Sequence, residues 1–514
     1  MKEVFNLKSK LGLASILFLF ATIILKMSGL VRDMVIAYYF GDSYIADAYL
    51  AAFIIPNMII LFLTTGMKNA LVPSYIQNLE ENRGSEHLGQ VFNGTVLISI
   101  ILSIAGTLLA RFYIPILYPE FNPHAKEIAI WVSVILFSSI IFVGMNAVLE
   151  AFFDSVNKFS LSMVSQIIVV VSTILGAVLF ADEFGAYSLA GGYLIGTVIS
   201  LFFKLVLVIP KKVMKVRKNF DWLEIKKFSI IFVPVGLTVA VGQINLTVDN
   251  IFASYFEEGV VTYINYAKNL VHFPQAIFGV TIGTIIFPII SKAHAKNDND
   301  LFKKGVEKGL VMMFLIVLPS IMGLMLLMPN IVEMLYQRGA FGSAATMSTS
   351  EVAYFYFGSV LFFSLHNIVN KGFYTLKKGH LIMLTGIFAI ILNIILNYVF
   401  TLWIGYKGIP LASSVMALFY VGTCFLIFIK LVGGINLKFV GTEFLKVTIA
   451  TLLMSAVVLW SKQLFGVMGN TVLIIIIVVI GCVTYFVIAV LLRIKALTVL
   501  LNRFSPKKFK KNSH

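Results

Sequence analysis

The chain has 514 residues, of which 59% are hydrophobic and only 12% charged, with mean hydropathy +0.95 and a formal net charge of +16. This composition excludes an ordinary soluble domain and a disordered chain, and long apolar runs rather than ten-residue alternations favour helices over a barrel. The two cysteines, Cys424 and Cys482, sit in apolar runs and offer neither a disulfide framework nor a metal set.

The reading is therefore an all-α polytopic membrane protein. Its apolar runs predict fourteen transmembrane helices, near 11–40, 45–76, 88–117, 125–153, 160–180, 186–209, 225–255, 262–290, 305–330, 349–376, 381–403, 408–430, 442–461 and 470–492. Residues 1–25 have a basic start and no convincing cleavage site, so they are expected to stay as the first span.

Span 1 carries Lys26, Ser28, Gly29, Arg32 and Asp33 inside apolar sequence. A cation at bilayer depth costs roughly 2.5–3.5 kcal/mol on insertion scales, so such residues are expected to face a polar cavity. Lys26 and Asp33 share a helix face, Arg32 lies about 100° away, and Gly29 permits a bend or a close approach. Span 2 adds Asp47, Pro56 and Asn57, with a kink expected at the proline. Arg offers a bidentate fork and Lys a point charge, which suits a pyrophosphate-like polyanion. The competing structural reading is an ion pair from Arg32 to Asp33 or Asp47 holding the first lobe together.

Span 7 carries Asp249, and span 8 carries Lys268 and Asn269 ahead of Pro274. Lys268 either faces the cavity or snorkels from a helix end. His272 and His366 are candidate proton carriers or packing residues. Asn393 and Asn397, one turn apart in span 11, and Ser413 in span 12 join Asp249 as an all-oxygen set suited to a hard cation such as sodium, or to ordinary interhelical hydrogen bonding.

Basic residues concentrate in alternate segments, among them Lys204–Lys227, Lys292–Lys308, Lys371–Lys378 and the tail from Arg493, while the opposite side holds only Arg111, Lys126, Arg338, Lys407 and Lys462. The positive-inside rule then puts both termini in the cytoplasm and accounts for the net charge without nucleic acid. Enzyme signatures such as H-E-x-x-H, a P-loop or Gly-x-Ser-x-Gly are missing, and the longest loop, about 204–227, is basic; a transporter is favoured over an integral glycosyltransferase.

Asp33-x3-Ala37-x-Tyr39-Phe40 recurs as Asp249-x3-Ala253-x-Tyr255-Phe256, an offset of 216 residues. Pro56 and Pro73 are followed by Pro274 and Pro288, and Leu117-Tyr118 by Leu335-Tyr336. The order argues for duplicated six-span halves related by a pseudo-two-fold along the membrane normal. The expected domains are an N-lobe, 1–210 (spans 1–6), a C-lobe, 211–435 (spans 7–12), a helix pair, 436–495 (spans 13–14), and a basic tail, 496–514.

Gly29-Leu30-Val31-Arg32-Asp33, Asp47-Ala48-Tyr49 through Pro56-Asn57, Phe273-Pro274 through Gly283-Thr284 to Pro288, Arg338-Gly339-Ala340-Phe341 and Gly372-Phe373-Tyr374 together resemble the MurJ lipid II flippases of the multidrug/oligosaccharidyl-lipid/polysaccharide exporter superfamily. The resemblance implies two lobes working by alternating access. It also implies export of the undecaprenyl-pyrophosphate-linked precursor lipid II across a bacterial cytoplasmic membrane. A cationic cavity for the headgroup and a groove at spans 13–14 for the lipid tail belong to the same expectation. Arg32 and Lys26 match family cations, and Asp249, Asn393, Asn397 and Ser413 match sodium-binding positions of some members. Ile60 and Asn269 depart from family arginines, with Lys68 and Lys268 as candidate substitutes. No cofactor is implied beyond a coupling ion, Na+ or H+. Another polyprenyl-linked oligosaccharide, or a drug, is the alternative cargo.

Overall fold

A backbone that crosses hydrocarbon must satisfy its own hydrogen bonds, which the helix does within a single segment. All regular structure among the described residues is helical. The computed structural model describes residues 24–25, 27–208, 220–241, 243–466 and 468–497. Helix α1 covers 27–40 and is the described part of the first expected span. There follow α2 (Tyr44–Glu80), α3 (Gly84–Leu117), α4 (Pro123–Ser155), α5 (Phe159–Phe184), α6 (Tyr187–Val208), α7 (Trp222–Val241), α8 (Ile244–Ala253) and α9 (Val260–Val271). The chain continues through α10 (Phe273–Ala295), α11 (Asn299–Leu326), α12 (Met328–Tyr336), α13 (Ser343–Phe355), α14 (Phe357–Thr375), α15 (Gly379–Ile404), α16 (Gly408–Val432), α17 (Leu437–Phe465) and α18 (Asn470–Leu491).

Among the described residues eleven helices are long and apolar enough to cross a membrane, or twelve if α13 and α14, bent by 46°, form one span. The count of fourteen therefore remains an expectation. Residues 1–23, Lys26 and most of the basic tail lie outside the described residues. Large apolar side chains remain exposed in a stripe at four-residue spacing on α3, with Leu108 at 65%, Phe112 at 67% and Ile116 at 74%. Water would penalise that stripe, whereas lipid tails solvate it.

Two prolines occupy different places in their helices. Helix α2 runs unbroken for 37 residues through Pro56 and Pro73, about 55 Å at the usual rise, longer than the roughly 30 Å hydrocarbon core. No break accompanies Pro56. Pro274 instead falls at the start of α10, where its missing N–H costs nothing, and the helix before it ends at Val271.

Two compact units emerge. The first runs up to Thr262 and takes in Arg338–Gly342; the second comprises Tyr263–Gln337 and the chain from Ser343 onward. The first unit thus extends past the expected lobe boundary at 210, because α7 packs along α2. A Cβ added to Gly66 would come within 2.7 Å of Gly236 Cα, and the rings of Phe62 and Phe232 stand 4.9 Å apart. Small residues let these backbones approach. Around them Leu63, Met67 and Leu71 of α2, Leu88 and Val91 of α3, Val148 of α4 and Phe228 of α7 form one buried cluster.

The duplication reappears in the turns, element by element. Left-handed residues Asn82 and Asn157 end α2 and α4, and Asn297 and Lys377 end α10 and α14, close to the repeat offset. Their closing bonds match as well: Arg83 N–H to Asn78 O and Asp298 N–H to Ala293 O are both 2.9 Å. Gly185 (φ 53°) and Gly405 (φ 62°) pair in the same way after α5 and α15. Tyr118 and Tyr336, both fully buried, seat on the second span of their own half, Tyr118 against Ala51 O and Tyr336 on the Tyr266 ring.

Candidate functional site

Arg32 projects from α1 beside a buried carboxylate. Its Nε and Nη2 donate to Asp33 Oδ1 at 3.1 and 2.8 Å, and its guanidinium carbon lies 5.9 Å from the Phe53 ring centroid. Asp33 is 4% exposed at the side chain and Arg32 27%. The anticipated ion pair is therefore made with Asp33, the next residue on the same helix, and the Arg32 side chain keeps 27% exposure. Ser28 donates to Leu25 O at 2.9 Å, and among the described residues nothing lies within 4 Å of where a Cβ on Gly29 would stand. Asn57 is half-buried on α2.

Asp47, one of the expected substrate-binding residues, accepts hydrogen bonds at the start of α9. The N–H of Gly259 donates to its Oδ2 at 2.7 Å, and the N–H and hydroxyl of Thr262 donate to Oδ1 at 2.8 and 2.6 Å. The reason is the opening turn of α9, whose N–H groups lack helical acceptors and attract an anion. The same end of the first unit holds the Arg338–Gly342 segment, where Ala340 N–H donates to Tyr38 O at 2.9 Å. Gly339 (φ 58°) is required there, since a Cβ would overlap Tyr38 O.

The sequence reading missed a buried charge network in the same unit. Lys204, grouped with loop lysines from its neighbours, has a fully buried side chain on α6, and its ammonium donates to Asn146 Oδ1 at 2.6 Å, Glu150 Oε1 at 2.9 Å and Ser200 Oγ at 3.2 Å. Gln166 donates to Glu150 Oε2 at 2.8 Å, and Lys68 reaches both Glu150 and Asp154. A cavity of about 350 Å³ opens beside it, lined by Ile60, Thr64, Lys68, Gln166, Tyr193 and Thr197 among others. A Glu in the apolar run of α4 was the available signal.

In the second unit Lys268 lies half-buried on α9 with its ammonium 5.8 Å from the Tyr356 ring centroid, while Asn269 is exposed. His272 shares a bond of 2.8 Å with Gln275. His366 is 5% exposed against the Tyr420 ring, a packing position. A cavity of about 430 Å³ is lined by His272, Gln275, Ala276, Gly279, Gly283, Asn367 and Lys371. Lys371, also assigned to a loop segment, is thus a cavity cation carried by α14. A larger cavity, about 660 Å³, has walls of Ile285, Ile289, Val311, Met312 and Phe439, with Lys304, Lys308 and Lys495 also among its lining residues.

Of the oxygen set, Asn393 and Asn397 are fully buried on α15, with Asn397 Nδ2 donating to Asn393 Oδ1 at 3.1 Å, and Ser413 is buried on α16, which packs against α15. Asp249 is fully buried on α8 in the first unit. Buried amide, hydroxyl and carboxylate oxygens fit a hard monovalent cation in their chemistry.

The pattern defining the family described as lipid II flippase MurJ matches residues 36–480. A probable lipid II flippase MurJ of Vibrio cholerae is 29% identical over 423 residues, covering 78% of this chain and 80% of its own length. A lipid II flippase MurJ of Burkholderia cenocepacia is 27% identical over 410 residues, covering 77% and 79%. A solved lipid II flippase MurJ in an inward closed conformation matches with TM-score 0.78 at 27% identity, over 93% of this chain and 99% of that one. An inward-facing multidrug resistance MATE family transporter of the MOP superfamily matches with TM-score 0.69 at 14% identity, over 81% and 98%, a likeness of fold alone. With a partly open arginine in a helical bundle and a family match over most of its length, the chain belongs to the lipid II flippase MurJ family.

Proposed function

We infer that this transporter moves lipid II from the inner to the outer leaflet of a bacterial cytoplasmic membrane by alternating access. The observation that carries the reading is the family match over residues 36–480 together with Arg32, a cation kept partly open in an apolar bundle. Arg32 would take the pyrophosphate, because its side chain stays 27% exposed and a guanidinium forms charge-assisted, bidentate bonds to phosphate oxygens. Asp33 stabilises the cation between cycles. Lys268 and Lys371 supply positive charge in the second unit, and the 660 Å³ apolar cavity suits part of a polyprenyl tail.

The lysine-rich segments support a topology with both termini in the cytoplasm. Sodium is the proposed coupling ion, with Asn393, Asn397 and Ser413 of the second unit as its candidate oxygen donors. When bound it supplies a positive charge whose electrochemical gradient biases the cycle, and those side chains supply the oxygens. Depletion of the protein in its native cell is expected to leave lipid II accumulating where externally added modifying reagents cannot reach it. Accumulation of a different lipid-linked saccharide instead would replace lipid II as the cargo.

A further inference from the structure

The cavity of about 430 Å³ in the second unit has a cation in its wall and no acid. Lys371 is the one fixed charge among its lining residues, which are otherwise His272, Gln275, Asn367 and three small residues of α10. No Asp or Glu occurs in the sequence from Gly259 to Asn297 or from Val352 to Thr442, the stretches that supply α9, α10, α14, α15 and α16. On α11, which also packs against α10 and α14, Glu307 lines the 660 Å³ cavity instead and accepts from Asn436 N–H at 2.7 Å. Among the described residues no carboxylate pairs with the Lys371 ammonium, whereas Arg32 has Asp33 and Lys204 has Glu150.

A lysine without a counter-ion can run along its own helix to water. Lys371 instead reaches across to α10: a Cβ added to Gly283 would lie 3.6 Å from its Cε, and its ammonium stands 5.3 Å from the Phe287 ring centroid. One turn earlier on α10, a Cβ at Gly279 would come within 2.9 Å of Asn367 Nδ2, so the two glycines clear the face that α14 meets. Asn367 and Lys371, four residues apart on α14, share that face. Gln275 Oε1 lies 2.8 Å from His272 Nδ1, and a carbonyl oxygen only accepts, so the ring donates and the Gln275 NH2 group takes no part in that bond. One ammonium and two amide NH2 groups thus line a single cavity. One positive charge with neutral donors around it matches an anion of one negative charge, and a carboxylate accepts from several donors at once. A pyrophosphate diester carries two negative charges and would leave one unbalanced there. Lipid II also bears carboxylates, on the peptide of its headgroup.

We propose that this cavity binds a carboxylate of the peptide carried by the lipid-linked substrate, with Lys371 as counter-ion and Asn367 and Gln275 as hydrogen-bond donors, an assignment that rests on the flippase reading above. The test measures binding to the full-length protein in phosphatidylcholine nanodiscs. The probes are lipid II, lipid II with its peptide carboxylates converted to amides, and undecaprenyl pyrophosphate, which has no peptide. The parent protein is expected to bind amidated lipid II about tenfold more weakly than lipid II, and Lys371→Met to lower lipid II to that same level with no further loss on amidation. Undecaprenyl pyrophosphate is expected to bind Lys371→Met as it binds the parent. Asn367→Asp gives Lys371 a carboxylate partner one turn away, so it is expected to weaken lipid II about tenfold and leave amidated lipid II unchanged. That variant carries the test if Lys371→Met does not fold. Equal parental affinity for lipid II and its amide, or a loss of all three ligands alike in Lys371→Met, would overturn the assignment alone. Parent protein that binds neither lipid II nor undecaprenyl pyrophosphate would overturn the flippase reading with it.

Discussion

A guanidinium and a carboxylate on consecutive residues cannot usually both face one cavity, and at Arg32 and Asp33 the division is visible: the acid is buried and the base partly open. Arg32→Ala is expected to abolish lipid II transport with membrane insertion retained, while Arg32→Lys keeps a fraction, since an ammonium replaces the charge but not the bidentate fork. Complementation in a depletion strain, with protein level checked by immunoblot, reads both. Lys204 behaves otherwise. Its ammonium is enclosed by Asn146, Glu150 and Ser200, so Lys204→Met alone is expected to destabilise the protein by on the order of 3 kcal/mol, by leaving Glu150 short of its main partner. The double variant Glu150→Leu with Lys204→Met should recover much of the loss. Thermal unfolding of purified protein measures the difference, and equal melting of the single and double variants would contradict the pairing. Arg32 was legible from the sequence because it stands in a long apolar run with few other charges. Lys204 was not, because its neighbours in sequence are loop lysines while its ionic partner, Glu150, comes from α4.

Helix-scale features follow from small residues and turn chemistry. Gly192 on α6 faces α5 so closely that a Cβ would lie 2.6 Å from Ser172 O and 3.0 Å from Thr173 Cα. Backbone atoms cannot step aside as a side-chain tip can. Gly192→Leu is therefore expected to separate α5 from α6 at a cost of about 1–3 kcal/mol or more, seen as a lower melting temperature and a loss of monodisperse protein in size-exclusion chromatography. The spans themselves were readable, since hydropathy is a local property, and most of the expected segments coincide with one helix or two in sequence. Breaks were less readable. Pro56 and Pro274 look alike in sequence, yet one lies within α2 and the other opens α10. What decides is whether neighbouring groups can satisfy the carbonyl that proline leaves without its donor.

For the whole molecule the question is what biases a two-state cycle. Membrane voltage contributes about 2.3 kcal/mol per charge per 100 mV, enough to shift a cycle in which a few charges move. With Asn393 and Asn397 buried on α15, Asn397→Leu is expected to remove any dependence of lipid II transport on a sodium gradient in proteoliposomes. A sodium response unchanged in that variant would remove sodium from these residues. The basic residues of the second unit show why composition alone misplaces charge: Lys371 belongs to α14 and lines a cavity, although it stands in the sequence just before two turn lysines.

Hydropathy, the six-span duplication and the isolated cations of span 1 were set by the order of residues along the chain, because each depends on neighbours within a few turns or on a repeat of the same chain. Which carboxylate meets which donor was decided only on folding. Asp47 met the opening amides of α9, Glu150 met Lys204, and α7 joined the first unit through Gly66 and Gly236. A buried charge takes the partners that packed helices bring to it, and those partners lie up to 215 residues away.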